Sequence, residues 1–329
     1  MTLLEIRNLS LTYRTKQAQI PAVRGVSLQV AAGETLGLAG ESGCGKSTLA
    51  STVLRLYPKS ATVTGEVLLD GVDTLTMSWG QLRAVRWRSA SVVFQGAMHS
   101  LDPLQKIGKQ LAEPIMTHFS TYTTSSARKR VRDLLAQVNL PEGIADSYPH
   151  QLSGGQKQRV MIALALACDP RLIVADEPTT ALDVMVQAQV LDLLSSIVRE
   201  RGLGLMIISH DLSVLAEQAD RVAVMYAGTI VEEGPGSEVF RNPNHPYTRA
   251  LAGAFPTIGD LESRYAPSGL DGDPPDPAEL PDGCAFHPRC PDALPTCTEQ
   301  TPALLEVGPH RRAACLLLDH AGTATRGMP

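Results

Sequence analysis

The segment Gly40-Glu41-Ser42-Gly43-Cys44-Gly45-Lys46-Ser47 constrains this chain more than any other. It fits the pattern GxxxxGK[ST], follows a strand-like run from Thr35 to Ala39, and opens a helix-compatible stretch from Ser47 to Leu56. A strand, a glycine loop and a helix start in that order bring backbone N–H groups and a helix N-terminus onto one anion. Lys46 is placed to neutralise β and γ phosphate oxygens, and the Ser47 hydroxyl to ligate magnesium. The pattern points to a nucleoside triphosphate and, by itself, leaves GTPase, kinase and ATPase open.

The residues downstream give that loop a partner. Leu172-Ile173-Val174-Ala175 and Leu205-Met206-Ile207-Ile208 are continuous apolar runs, as expected of parallel strands covered on both faces. Between them Val190, Leu193, Leu194, Ile197 and Val198 recur at helical spacing, which completes a crossover unit and an α/β core. The first run ends in Asp176-Glu177, two carboxylates at the end of a buried strand. Asp176 suits magnesium held through water, and Glu177 suits activation of a water in line with the γ phosphate.

Elsewhere Leu4 to Leu9, Val23 to Val30 and Val63 to Leu69 read as half-buried strands. From about Met77 to Pro149 the chain reads as a mostly helical insert, with Val131, Leu134, Leu135 and Val138 on one helical face. After Phe240 the composition shifts, and between Pro267 and Pro302 it is rich in Pro, Asp and Gly without periodicity, an irregular appendage. The 329 residues carry 29 Lys+Arg against 34 Asp+Glu, so nucleic acid is not expected as the main partner. The longest apolar run, Val160 to Cys168, falls far short of the roughly 18 to 20 residues that cross a bilayer. The start MTLLEIRNLS lacks the features of a signal peptide, so a cytosolic protein with reduced thiols is expected.

Gln151-Leu152-Ser153-Gly154-Gly155-Gln156-Lys157-Gln158-Arg159 contains LSGGQ between the phosphate loop and the Asp-Glu strand, and with it the chain closely resembles the ATP-binding subunits of ABC transporters. The resemblance implies a P-loop NTPase of the ABC cassette type: a RecA-like parallel sheet core, an antiparallel β subdomain and a helical subdomain at about 77–165, together spanning 1–240. A Cys-containing region follows at 241–329. It implies ATP bound by residues 40–47, that is Gly40, Glu41, Ser42, Gly43, Cys44, Gly45, Lys46 and Ser47, together with Thr48 and with Tyr13 stacking on adenine. A tyrosine on a surface strand is the other reading of Tyr13. It implies Mg2+ at Ser47, Gln95 and Asp176, catalysis by Glu177, Gln95 and His210, and a helix covering roughly Gln156 to Ala167. Leu152, Ser153, Gly154, Gly155 and Gln156 are then a nest for the ATP of a partner subunit in a head-to-tail dimer, and Asp183, in Ala181-Leu182-Asp183, lies at that interface. Cys44 is a variation inside the loop that would put a thiol, open to alkylation, near the phosphates.

His245-Pro246-Tyr247-Thr248-Arg249-Ala250-Leu251, followed by Pro256, resembles a segment of oligopeptide and dipeptide importers and their nickel and glutathione relatives. Gln95-Gly96-Ala97-Met98-His99-Ser100-Leu101-Asp102-Pro103 resembles theirs too. The tail holds four of the six cysteines, Cys284, Cys290, Cys297 and Cys315. Four such ligands in a reduced compartment fit a thiolate metal site. The missing CxxC pairs disfavour zinc, and the resemblance implies a [4Fe-4S] cluster; free thiols remain the third reading. Cys168 reads as a buried small hydrophobe.

The function implied is ATP hydrolysis that drives peptide import from the cytoplasmic face of the cell membrane. The chain is expected as a peripheral subunit beside a second, paralogous ATPase, two transmembrane permeases and an extracytoplasmic binding protein. Nickel, glutathione and oligosaccharide are alternative cargoes. A soluble ABC ATPase acting on DNA or ribosomes is opposed by the single cassette and by the lack of a coiled-coil or zinc insertion within it.

Overall fold

The computed structural model describes residues 1–16, 18–94, 96, 100–180, 182–254, 270 and 272–318. Two sheets share the chain. The smaller is antiparallel and is ordered β2 (Gln19–Ala31), β1 (Thr2–Arg14), β4 (Thr62–Leu69), β5 (Val72–Asp73). Along β1 Leu4 and Ile6, then Leu9 and Leu11, are buried in the core shared with β2, while Leu3 is buried on the other face, so the two-residue rhythm slips by one. Asn8, with φ 45°, absorbs the extra residue as a bulge. Past that slip β1 goes on pairing with β2 as far as Arg14.

The larger sheet contains β3 (Thr35–Ala39), β6 (Ala90–Val93), β7 (Leu172–Asp176), β8 (Gly204–Ile208), β9 (Arg221–Tyr226) and β10 (Thr229–Pro235), with a tail hairpin of β11 (Leu305–Gly308) and β12 (Arg311–Ala313). Its order is β11-β12-β10-β9-β3-β8-β7-β6, and every pairing among β9, β3, β8, β7 and β6 is parallel. The stretch from 77 to 149 is therefore not helical throughout, because β6 returns from it to the sheet. Among the described residues its α-helices are α2 (Trp79–Val85), α3 (Ile107–His118) and α4 (Thr124–Gln137), followed by a 3-10 helix at Glu142–Asp146.

Both faces of the parallel strands are covered, which explains the unbroken apolar runs. Leu36, Leu38, Leu172, Val174, Met206 and Ile208 pack toward the antiparallel sheet, around α1 (Lys46–Val53). Ile173, Ala175, Leu205 and Ile207 face the other way, onto α3, α4, α5 (Gly154–Ala165) and α6 (Val184–Arg201). Alternate side chains thus serve two cores.

The C-terminal region is built onto this sheet. Arg221 on β9 pairs with Glu34 at 2.8 Å and with buried Glu233 on β10, while Arg312 on β12 reaches the same Glu233. After α7 (Leu212–Gln218) and α8 (Gly236–Arg241), α9 (Pro246–Gly253) starts at His245, whose Nδ1 accepts the Tyr247 N–H at 3.0 Å. His245 is 2% exposed, and burial lowers its pKa to about 4.

The unfolded chain protonates this imidazole below about pH 6.5 and the folded chain does not, so acid favours unfolding. His245→Asn keeps a capping side chain and is expected to lose about 2 kcal/mol less than wild type between about pH 7 and about pH 5. Urea denaturation at both pH values measures it, and equal losses in the two proteins would contradict the account.

Candidate nucleotide site

The parallel register brings the chemistry to one edge. Ile208 lies level with Leu38 on one side and with Asp176 on the other, so the residues that follow β3, β7 and β8 emerge together at the C-terminal edge of the sheet. These are the phosphate loop, Glu177 and the Ser209-His210 pair.

The loop is pressed against its surroundings. Gly40, at φ 148°, leaves no room for a Cβ, which would sit 2.3 Å from the Met225 carbonyl oxygen. At Gly45, φ 106°, a Cβ would stand 2.2 Å from the Ala22 carbonyl oxygen. Only glycine admits this close backbone approach. Gly45 caps α1, and the loop's amides stand at that helix start, as an anion nest requires. Lys46 is 5% exposed, and its Nζ donates to the carbonyl oxygens of Gly40 at 2.6 Å and Glu41 at 2.8 Å.

Ser47 Oγ donates to Asp176 Oδ1 at 3.1 Å, so the sequence-predicted pair is in contact across the edge. Burial raises the pKa of Asp176; the Ser47 hydrogen bond opposes this, Glu177 adds to it, and Lys46 opposes it. A hydroxyl beside a carboxylate offers the hard oxygen donors that magnesium takes, with its other positions left to phosphates and water. Glu177 follows β7 in a left-handed conformation, φ 45°. Its N–H donates to the Ile208 carbonyl at 3.0 Å, and its Oε2 accepts from Thr180 Oγ1 at 2.9 Å. His210 Nδ1 lies 3.6 Å from Glu177 Oε1, with most of its side chain exposed. Tyr13 stands by the loop as well, and its hydroxyl donates to Thr48 Oγ1 at 3.2 Å.

The signature residues form a separate construction. Ser153 caps α5, accepting the Gln156 N–H at 3.3 Å, while Gln156 Oε1 accepts the Ser153 N–H at 3.0 Å. Leu152 is buried beneath them, and a Cβ on Gly155 would meet Val186 at 2.7 Å. Gly154 opens the helix. Among the described residues, no hydrogen bond or ion pair joins 152–156 to the loop of the same chain. Asp183 caps α6 through Val186 N–H at 3.0 Å, and beside it Val184 and Met185 are 79% and 72% exposed. Gln95 lies outside the described residues, as do Ala97, Met98, His99 and Ala181.

One expectation needs correction. Cys44 is 7% exposed and burial raises its pKa, with Lys46 only partly offsetting this, so it is a packed thiol with little thiolate for alkylation. In the tail, no three His, Cys, Asp or Glu side chains among the described residues are grouped to hold a metal ion. Cys284, Cys290, Cys297 and Cys315 are all free. The Cys284 N–H donates to the Cys297 carbonyl at 2.9 Å, and burial lifts the Cys315 thiol to about 11. Sequence reasoning also missed the tail's contacts with the loop, Tyr247 and Arg289, since nothing local to either residue points at residue 41.

Known proteins resemble the chain along its length. A model described as ABC transporter matches residues 23–180, and one described as oligopeptide/dipeptide transporter, C-terminal region, matches 231–297. A putative peptide import ATP-binding protein of Brucella ovis is 42% identical over 95% of this chain and 96% of its own. A probable peptide ABC transporter ATP-binding protein of Sinorhizobium fredii is 43% identical over 95% and 94%. The oligopeptide transport ATP-binding protein OppD of Mycobacterium tuberculosis is 43% identical over 95% of this chain, which matches 52% of that longer protein. Among solved structures, the ATP-binding cassette MJ0796, a dimer in a post-hydrolysis state with ADP and phosphate, superposes with a TM-score of 0.64. It is 31% identical and covers 70% of this chain and 98% of its own. With the phosphate loop, the Asp-Glu strand end and the capped signature helix in one fold, the chain belongs to the ATP-binding proteins of ABC transporters that carry the oligopeptide/dipeptide transporter C-terminal region.

Proposed function

We propose that this ABC-type ATPase is the energy-supplying subunit of a peptide importer, acting at the cytoplasmic face of a membrane. The contact that carries the catalytic part is Ser47 with Asp176, with Glu177 and His210 beside it on the same sheet edge. Peptide as cargo rests on the named relatives from Brucella and Sinorhizobium and on the match over 231–297. No described helix is long and apolar enough to cross a membrane.

In this reading ATP phosphates lie against residues 40–47 with Lys46, and the adenine against Tyr13. Ser47 and Asp176 hold Mg2+, together with Gln95. When bound, magnesium neutralises charge on the phosphate oxygens. Glu177 takes a proton from the attacking water, and His210 orients the γ phosphate beside it. Residues 152–156 close over the ATP of a second ATPase subunit. The exposed apolar pair Val184 and Met185 next to Asp183 supports this, and so does the lack, among the described residues, of a hydrogen bond from 152–156 to their own loop. Two permeases and an extracytoplasmic binding protein complete the assembly.

For the tail, the four thiols Cys284, Cys290, Cys297 and Cys315 would hold an iron-sulfur cluster. The hydrogen bond from the Cys284 N–H to the Cys297 carbonyl, and four soft thiol ligands within one short region, support this reading.

Glu177→Gln is expected to leave ATP binding intact and to lower turnover about 100-fold or more. Ser153→Ala is expected to abolish turnover while the isolated subunit still binds ATP. ATPase assays on the assembled complex, beside binding by the purified chain, measure both, and wild-type turnover in either variant would remove its assigned role. Iron and acid-labile sulfide are expected in anaerobically purified chain, and stoichiometric zinc without sulfide would reject the cluster.

A further inference from the structure

The tail reaches into the phosphate loop. Arg289, one residue before Cys290, donates from Nη1 to Glu41 Oε2 at 2.7 Å and from Nη2 to Glu41 Oε1 at 3.0 Å. Tyr247 holds the same residue by its backbone, because its hydroxyl accepts the Glu41 N–H at 2.8 Å. Glu41 is thus gripped at both its carboxylate and its amide, each time from the C-terminal region.

The gripping groups are themselves fixed. The side chain of Arg289 is only 6% exposed, its guanidinium lies 6.0 Å from the Tyr226 ring centroid, and Nη1 also donates to that hydroxyl at 3.4 Å. Phe286, in the turn that carries Arg289, packs against Tyr226 at 5.2 Å and Tyr247 at 5.4 Å, while those two tyrosines lie 4.6 Å apart. The Arg289 N–H closes the turn onto the Phe286 carbonyl at 3.0 Å. A planar guanidinium that meets a carboxylate with two parallel bonds fixes direction as well as distance, which a lysine ammonium cannot do.

What Glu41 governs lies one bond further on. Its carbonyl oxygen accepts from Lys46 Nζ at 2.8 Å, the ammonium that faces the phosphates in the proposed function. We propose that Arg289 is a positioning residue of the nucleotide site: through Glu41 it fixes the first turn of the phosphate loop and the path of Lys46. The inference rests on the ATP reading given above. It makes the thiol-bearing turn an outer wall of the ATP site, so a change in the tail reaches ATP affinity without any tail residue touching ATP.

The test is a double-mutant cycle on the full chain, read by Mg-ATP titration calorimetry with thermal unfolding to confirm folded protein. Arg289→Gln is expected to weaken ATP binding about 10-fold, and Arg289→Lys nearly as much, because the fork is lost in both. Glu41→Gln combined with Arg289→Gln is expected to bind no more weakly than the worse single variant. Arg249→Gln breaks another ion pair of the same region, with Asp292, away from the loop, and is expected to bind as wild type. In the assembled complex Arg289→Gln is expected to raise KM for ATP and to leave kcat nearly unchanged. Wild-type affinity in folded Arg289→Gln, or multiplicative losses in the double variant, would overturn the inference. Failure of the wild-type chain to bind ATP would strike the ATP reading instead.

Discussion

Close backbone approach at the phosphate loop is the constraint on which the rest of this structure depends. The loop leaves β3 and enters α1 by passing within contact of the Met225 and Ala22 carbonyls, at positions where no side chain fits. Met225 belongs to β9 of the large sheet and Ala22 to β2 of the small one. Packing between the sheets therefore sets the loop's shape, and the two apolar cores that flank β3 work in part to keep that gap constant. A loop so held presents its amides without rearrangement, which is what an electrostatic site needs.

The sheet's parallel register then does the assembling. Because β3, β8 and β7 are neighbours and level, three short segments far apart in sequence meet at one edge: residues 40–47, 176–177 and 209–210. Each arrives with its own fixing device. Asp176 is buried against Ser47, Glu177 is tied at its backbone to Ile208 and at its carboxylate to Thr180, and Lys46 is threaded through loop carbonyls. The signature helix is capped just as firmly, by Ser153 and Gln156, and among the described residues no hydrogen bond ties that cap to the loop.

Much of this was legible in the sequence, for physical reasons that differ by element. The phosphate loop was readable because each glycine answers a steric demand that no other residue meets. β7 and β8 were readable because two covered faces require unbroken apolar runs. β9 is just as apolar from Val222 to Tyr226, yet no motif drew attention to it, and β10 hides its inward Glu232 and Glu233 behind partners on the tail hairpin, Arg311 and Arg312. The extent of β1 was hidden by the bulge at Asn8. Cys44 looked reactive from its neighbours in sequence, whereas burial decides otherwise. Least legible was the bond from Arg289 to Glu41, which spans 248 residues and leaves no local pattern.

The central claim is that residues 40–47, organised by both sheets and the tail, form the site where ATP binds. Mg-ATP titration of the full chain against its Lys46→Ala variant addresses it most directly. The account predicts saturable binding to the wild-type chain, with affinity reduced about 100-fold or more in a folded variant, since a charge-assisted contact to phosphate is lost. Equal affinity in the two proteins would contradict it.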